Sequence, residues 1–294
     1  MKITTVSEAI SVVRDGGHVA VGGCLYSRTP MALLFELLRQ GRRGLTLSRS
    51  LTCYEAEMFF AVDAADTIET SWVGFGGPWG MLRTVRQALQ EGTKSFNEYS
   101  HLGIAMRFRG GAMGVPFLPM RSMLGSDLIE HADTKQISCP FTGEQLVAVP
   151  ALQPDVGLIH AHRADDRGNV QIDGYEHMDA DIARAAKHTI VTVEEIVDRS
   201  VIEAASDRTV IPHFVVDSLI EVPRGAFPHE LYGMYDASFS HFDLYAERTN
   251  ADGIEGVRAY IDEFVHGHED FESFLGKFSS EEMARTRARV KELI

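Results

Sequence analysis

The sequence predicts an α/β protein: an open, mostly parallel sheet with helices on both faces, followed by a C-terminal helical segment. Three observations carry this. Short apolar runs alternate with amphipathic stretches, as strands of a parallel sheet alternate with crossover helices. Glycine-rich turns follow the apolar runs, where α/β sheets place ligands. From about Tyr235 the chain becomes helical in pattern, acidic and aromatic, with Tyr260, Phe264, Phe271, Phe274 and Phe278.

The elements follow in order. Ser7 to Arg14 has helical spacing, with Ser7 as N-cap, and Asp15-Gly16-Gly17 stops it. His18 to Val21 is a buried-strand pattern ended by Gly22-Gly23. Thr29-Pro30 opens a helix over Met31 to Gln40, with Pro30 at the first helical position. Leu45 to Ser48 is a strand. Thr67 to Val73 is a strand that leads into Gly74-Phe75-Gly76-Gly77-Pro78. Met81 to Gln90 is an amphipathic helix, and Leu102 to Met113 is a helix broken by Gly110-Gly111. Leu146 to Val149, Val156 to Ile159, Thr189 to Val193, Val210 to Val216 and Leu219 to Val222 read as strands, and Ala180 to Lys187 as a helix. No linker or repeat divides the chain, so 1–294 is expected to be one domain: a core over about 1–234 and a tail over about 235–294 packed on it.

Charge and composition exclude several classes. Lys plus Arg number 28 against 42 Asp plus Glu, giving a net charge of -14. Such a chain lacks the basic face that non-specific nucleic-acid binding needs. The basic stretch Arg285 to Arg289 reads as the end of a helix, where cations suit the dipole. Cys24, Cys53 and Cys139 are far apart and odd in number, which points to a reducing compartment. No signal peptide or apolar span opens the sequence, and a cytoplasmic protein is expected. His160-x-His162 and His266-x-His268 lack the further ligands of a zinc site, so no metal is expected. Neither a dinucleotide nor a P-loop glycine motif is complete.

Asp15-Gly16, Val19-Ala20-Val21-Gly22-Gly23 and Pro30 together resemble the first signature of class I coenzyme A transferases. Glu98-Tyr99-Ser100, Gly114 to Pro119, Val147 to Pro150 with Asp155-Val156 and Ile159 to Ala161, Asp181 to Lys187, Thr189 to Ile196, and Tyr232 to Asp236 are similar, in order, to the alpha (A-type) subunit of the glutaconate CoA-transferase branch. The resemblance spans about residues 5 to 280. Two positions depart from it: Cys24 stands where Phe is usual, and Phe227 where His is usual.

The resemblance implies covalent chemistry. A glutamate carboxylate attacks an acyl-CoA thioester, giving an acyl-glutamyl anhydride and CoA thiolate; the thiolate then forms a glutamyl-CoA thioester, and an incoming acid reverses both steps. The family glutamate lies in Ser-Glu-Asn-Gly, which this sequence lacks. A beta (B-type) subunit is therefore expected to supply it, in a heterodimer or heterotetramer, with the CoA thioester as substrate and no permanently bound cofactor. No catalytic residue is certain in this chain; Glu98 and His101 are candidates for acid/base or specificity roles. Gly22, Gly23, Arg28, Ser71, Gly76, Gly77 and Arg121 are candidates for holding CoA or the acid: glycine N–H groups cradle anions, and arginine forks take carboxylates and phosphates. Glu194 and Glu195 end a strand or cap a helix. Trp72, Phe75 and Trp79 belong to a bulky acyl pocket or to the core. The alternatives are a subunit of an acyl-CoA ring-opening hydrolase on the same scaffold and a non-catalytic metabolite sensor.

Overall fold

The structure is a computed structural model and describes residues 2–285. The basic run from 285 to 289 lies outside the described residues beyond its first member.

In chain order the strands are β1 (Lys2–Ile3), β2 (His18–Val21), β3 (Leu45–Ser48), β4 (Ala65–Thr70), β5 (Ser95–Glu98), β6 (Phe117–Met120), β7 (Lys135–Ser138), β8 (Gln145–Pro150), β9 (Val156–Asp165), β10 (Val170–Gln171), β11 (His188–Val197), β12 (Thr209–Ile211) and β13 (Ser218–Glu221). The helices are α1 (Val6–Ile10), α2 (Met31–Arg39), α3 (Glu55–Ala61), α4 (Arg83–Gln90), α5 (His101–Met113), α6 (Leu128–His131), α7 (Asp179–Ala185), α8 (Arg199–Glu203), α9 (Phe239–Asp252), α10 (Ile254–Ile261), α11 (Phe271–Leu275) and α12 (Ser280–Arg285).

The main sheet runs β1-β13-β11-β9-β2-β3-β4-β5, and every pair along that path is parallel. The expected sheet is thus present. β2 and β9 meet at its centre and are buried almost throughout, because both faces of the sheet are covered there. A buried cluster with α2, α3 and the tail packs one face, and a second with α5 and α7 packs the other.

Several boundaries differ from expectation, each for a local reason. Helix α1 is capped by Thr5, whose side chain accepts from the Glu8 amide at 3.2 Å, so the helix starts before Ser7. Pro30 is the N-cap of α2 rather than its first helical residue. The stretch 212–216 leaves the strand for a short 3-10 turn. Helix α5 is continuous through Gly110-Gly111. A Cβ on Gly111 would lie 1.8 Å from the Leu152 carbonyl oxygen, so these glycines let the helix lie close on its neighbour instead of breaking it. Strand β8 pairs antiparallel with β6 and β7 in a separate small sheet. Residues 55–61 form the buried helix α3, which the sequence pattern does not predict.

The tail shares the core. Phe242, Tyr245, Tyr260, Phe264 and Phe274 are buried in one cluster with α2 and α3. Buried Glu57 on α3 accepts from the Thr84 amide at 2.8 Å and from the Tyr245 hydroxyl at 3.0 Å. Burial pushes its carboxyl up, against those hydrogen bonds.

Candidate active site

Parallel strands leave their carboxyl ends on one edge, and the chain's polar loops gather there. β2 ends in Gly22-Gly23, β3 in Arg49-Ser50, β4 in Ser71, and β5 in Glu98 before the Ser100 N-cap of α5. Their starts meet around Ser50. The Ser71 hydroxyl donates to the Ser50 carbonyl at 2.6 Å, and the Ser50 hydroxyl points at the Cys24 sulfur at 3.5 Å. The His101 ring nitrogen Nδ1 lies 3.3 Å from Ser71 Oγ. Ser71 gives its only proton to the Ser50 carbonyl, so Nδ1–H is the donor in this contact. His177 Nε2 lies 3.3 Å from Ser27 Oγ.

Beside these loops a trough of about 400 Å³ runs between α5 and the entry to α7. Ser50, His101 and His177 line its polar end; Leu102, Ala105, Met106 and Met178 its middle; Arg109 and Asp181 its far end. His101, Leu102, Ala105, Met106 and Arg109 form one stripe of α5, about 12 Å long at helical rise. Burial pushes the Asp181 carboxyl up, with Arg109 and then Arg184 opposing.

The Gly22-Gly23 turn does cradle an anion, but it is one of the chain's own. The Gly23 amide donates to Asp179 Oδ1 at 2.7 Å, and Gly23 has a φ of +67°, open chiefly to glycine. A Cβ on Gly22 would meet the same carboxylate oxygen at 2.7 Å. Arg28 completes the arrangement. Its Nη1 pairs with Asp179 and donates to the His160 carbonyl at 3.0 Å; its Nη2 donates to the Tyr175 carbonyl at 2.8 Å. Arg28 is 1 % exposed. Nη1 and Nη2 are thus engaged inside the protein, which turns the guanidinium away from a phosphate or substrate carboxylate.

The remaining candidates separate. Arg121 is 76 % exposed and pairs through two nitrogens with Glu144, at 2.5 and 2.7 Å, beside the small sheet. Gly76 and Gly77 sit at positive φ in a turn whose Trp79 donates to Asp243 of α9 at 2.7 Å. They face the tail, away from the trough. Phe75 is buried and stacks on Tyr54, so the aromatic run divides between core and tail contacts, and Trp72 is 40 % exposed. Glu98 is exposed at the end of β5. Glu194 is buried and accepts from His160, the Tyr235 hydroxyl and the Arg224 amide, each at 2.8 Å. Burial works against its charge, but His160 and these donors hold the carboxyl below its usual range. Glu194 thus braces the sheet, while Glu195 is exposed. Phe227 packs edge-on against Phe278 in the core.

The histidine pairs are engaged as well. His162 Nε2 donates to the Tyr232 carbonyl at 2.8 Å and Nδ1 accepts from the Asp173 amide at 3.1 Å. Cys53, Glu55 and His229 form a buried group whose ligand atoms lie within 4.8 Å of one another. The Arg49 guanidinium already pairs with Glu55, and burial, then Glu55, pushes the Cys53 thiol well up. A resident guanidinium and a neutral thiol make this a poor cage for a cation.

The sequence does not single out Arg109, His177 or Ser50. Arg109 sits at i+8 from His101 on α5, and that spacing could have found it. Ser50 and His177 reach the trough only through tertiary packing.

The coenzyme A transferase family model matches residues 3–222. The chain is 35% identical over 283 residues to the A-type subunit of the 3-oxoadipate CoA-transferase of Pseudomonas knackmussii, covering 95% of this chain and 98% of that protein. It spans 65% of the length of an uncharacterized Archaeoglobus fulgidus protein to which it is 34% identical over 99% of itself. Its fold matches the crystal structure of glutaconate coenzyme A-transferase from Acidaminococcus fermentans with a TM-score of 0.92 and 31% identity, covering 98% of this chain and 96% of that one. With the family model over residues 3–222 and a relative 35% identical along nearly the whole of both chains, the chain belongs to the coenzyme A transferase family.

Proposed function

We propose that this chain is the alpha, or A-type, subunit of a heteromeric acyl-CoA:carboxylate CoA-transferase. It forms the acyl-facing wall of a shared active site, and a B-type subunit carries the nucleophilic glutamate. The observation that carries this reading is the near-full-length likeness to A-type subunits, in a chain that has no Ser-Glu-Asn-Gly of its own. The partner's carboxylate attacks the thioester carbonyl and expels CoA thiolate; the thiolate then attacks the glutamyl carbonyl and releases the first acid. The second acid retraces both steps. Positioned N–H donors must meet the oxyanion formed at each attack.

The trough supplies the acyl group with a polar end at His101 and Ser50 and an apolar middle. Glu98 and His101 border that end, where either can orient the reacting carbonyl. Coenzyme A needs several cations for its phosphates. Among the described residues that line the trough, Arg109 is the one arginine or lysine, so the partner holds most of the CoA. CoA enters as substrate, and no permanently bound group takes part. No described helix is long and apolar enough to cross a membrane, and the proposed compartment is the cytoplasm.

Ring-opening hydrolysis is less supported, because the relatives at 35% and 32% identity are transferase subunits. The test is reconstitution. The purified chain alone should transfer no CoA between acids, and co-expression with a B-type subunit carrying Ser-Glu-Asn-Gly should restore it. Enzyme-like transfer by this chain alone would overturn the division of labour.

A further inference from the structure

We infer that Cys53, Glu55 and His229 form a binding site for one tightly held water molecule, which fastens the loop after β2 through Arg49. The inference concerns the support of that loop and holds whichever acid the complex uses.

Two buried acceptors at this place are left over. Glu55 Oε1 pairs with Arg49 Nη1 and accepts from the Cys53 amide at 2.9 Å, while Oε2 has no hydrogen-bond partner among the described residues. The neighbours of His229 settle its tautomer. The Thr29 hydroxyl donates to the Leu25 carbonyl at 2.9 Å and accepts from Arg49 Nη2 at 2.8 Å, so His229 Nδ1–H is the donor to Thr29 Oγ1. Burial, then Arg49 and His241, holds the pKa of the ring well below its usual value. A neutral ring protonated at Nδ1 leaves Nε2 with a bare lone pair, and Nε2 too has no partner among the described residues. Glu55 is 1 % exposed and His229 fully buried, with Tyr54 and Phe242 packed edge-on against the imidazole. Bulk solvent does not reach these atoms, and unmade acceptors inside a protein are costly.

The chemistry of the three groups selects the ligand. One ligand atom from each of Cys53, Glu55 and His229 lies within 4.8 Å of the other two. Two acceptors bridged by a single water at hydrogen-bond length stand about 4.5 Å apart. Two lone pairs call for a molecule with two donors. Water has them, and its own oxygen can accept the Cys53 S–H, which burial, then Glu55, keeps protonated. That makes three hydrogen bonds, the usual complement of a buried water. A cation would sit beside the Arg49 guanidinium, and an anion would face the Glu55 carboxylate.

Arg49 carries the effect to the loop. Its Nε donates to the Gly22 carbonyl at 3.2 Å and its Nη2 to Thr29, at the two ends of the loop between β2 and α2. The water holds Glu55 and His229, and these hold Arg49 and Thr29.

The experiment uses the full chain. A crystal structure fine enough to resolve ordered water should show one peak at hydrogen-bond distance from both Glu55 Oε2 and His229 Nε2, without anomalous signal, and acid-digested protein should contain no stoichiometric metal. Cys53→Ser keeps a small polar group and should keep both the peak and the denaturation midpoint. Cys53→Val puts a methyl group where the water sits, so it should lose the peak, lower the midpoint and speed amide hydrogen exchange over residues 22–30. No peak between the two acceptors overturns the inference, as does a direct contact of His229 with Glu55. An anomalous peak or stoichiometric metal overturns it as well, because the site would then hold a cation. Equal losses in the two variants, or unchanged exchange in Cys53→Val, reject the bracing of the loop. If Cys53→Val does not fold, the wild-type and Cys53→Ser maps decide alone.

Discussion

Two arginines lie on the same side of the sheet and have opposite fates. Arg28, in the loop after β2, is buried with every named donor turned inward to Asp179 and two carbonyls. Arg109, on α5, keeps its outer fork unspent at the edge of the trough. The first makes the wall rigid, and the second leaves it able to recognise something. The difference lies in the partner's geometry. Asp179 is enclosed by the Gly22-Gly23 turn, while Asp181, two residues along the same helix, opens on the trough.

The sharpest way to break this contrast is to remove Arg28. The sequence alone predicts that Arg28→Ala raises KM. Burial moves the loss to folding, because Asp179 would be left charged and uncompensated inside the protein, at a cost of about 3–5 kcal/mol. Chemical denaturation should show that loss, and a stable variant with altered KM would return Arg28 to the substrate site.

An effect of similar size, but spread over pH, is expected from acid. His241 is buried among the tail aromatics beside Tyr260, and burial, then Arg248, holds its pKa down to about 3. The unfolded chain takes up this proton near pH 6.5, well before the folded chain does. Stability should therefore be fully present above about 6.5 and fall as pH drops toward 3, by about 1.4 kcal/mol per unit from this group. His241→Gln should flatten that slope in denaturation curves across the window. A slope unchanged by the substitution would assign the acid sensitivity elsewhere.

The smallest effect should come from Arg121→Ala. Its pair with Glu144 is exposed and screened by solvent, so denaturation curves should hardly shift and the kinetics of the complex should not move. A marked kinetic effect would join the small sheet to the active site.

These contrasts also mark what could be read in advance. The parallel sheet was legible because β2, β3, β9 and β11 each hold a short apolar run, with helical stretches between them. The candidate loops after β2, β4 and β5 were legible because glycine and polar residues followed those runs, and their starts do meet around Ser50. Burial of the charged members was not legible. Nothing local to Arg28 shows that Asp179 will fill its fork from across the sheet, 151 residues away. Helix α3 was missed for a related reason: its Glu55 and Glu57 look like surface residues yet are buried on Arg49 and Tyr245. The break expected at Gly110-Gly111 does not occur, because the glycines serve packing against Leu152 and not chain direction.

The enclosed Asp179 has a consequence for assembly. A loop whose carboxylate, guanidinium and backbone amides already satisfy one another has little conformational freedom to lose when another chain docks. Ordering side chains and loops is a main cost of association. This half of the active site should meet its partner as a finished surface, with encounter set by diffusion and orientation and without a folding step on the way.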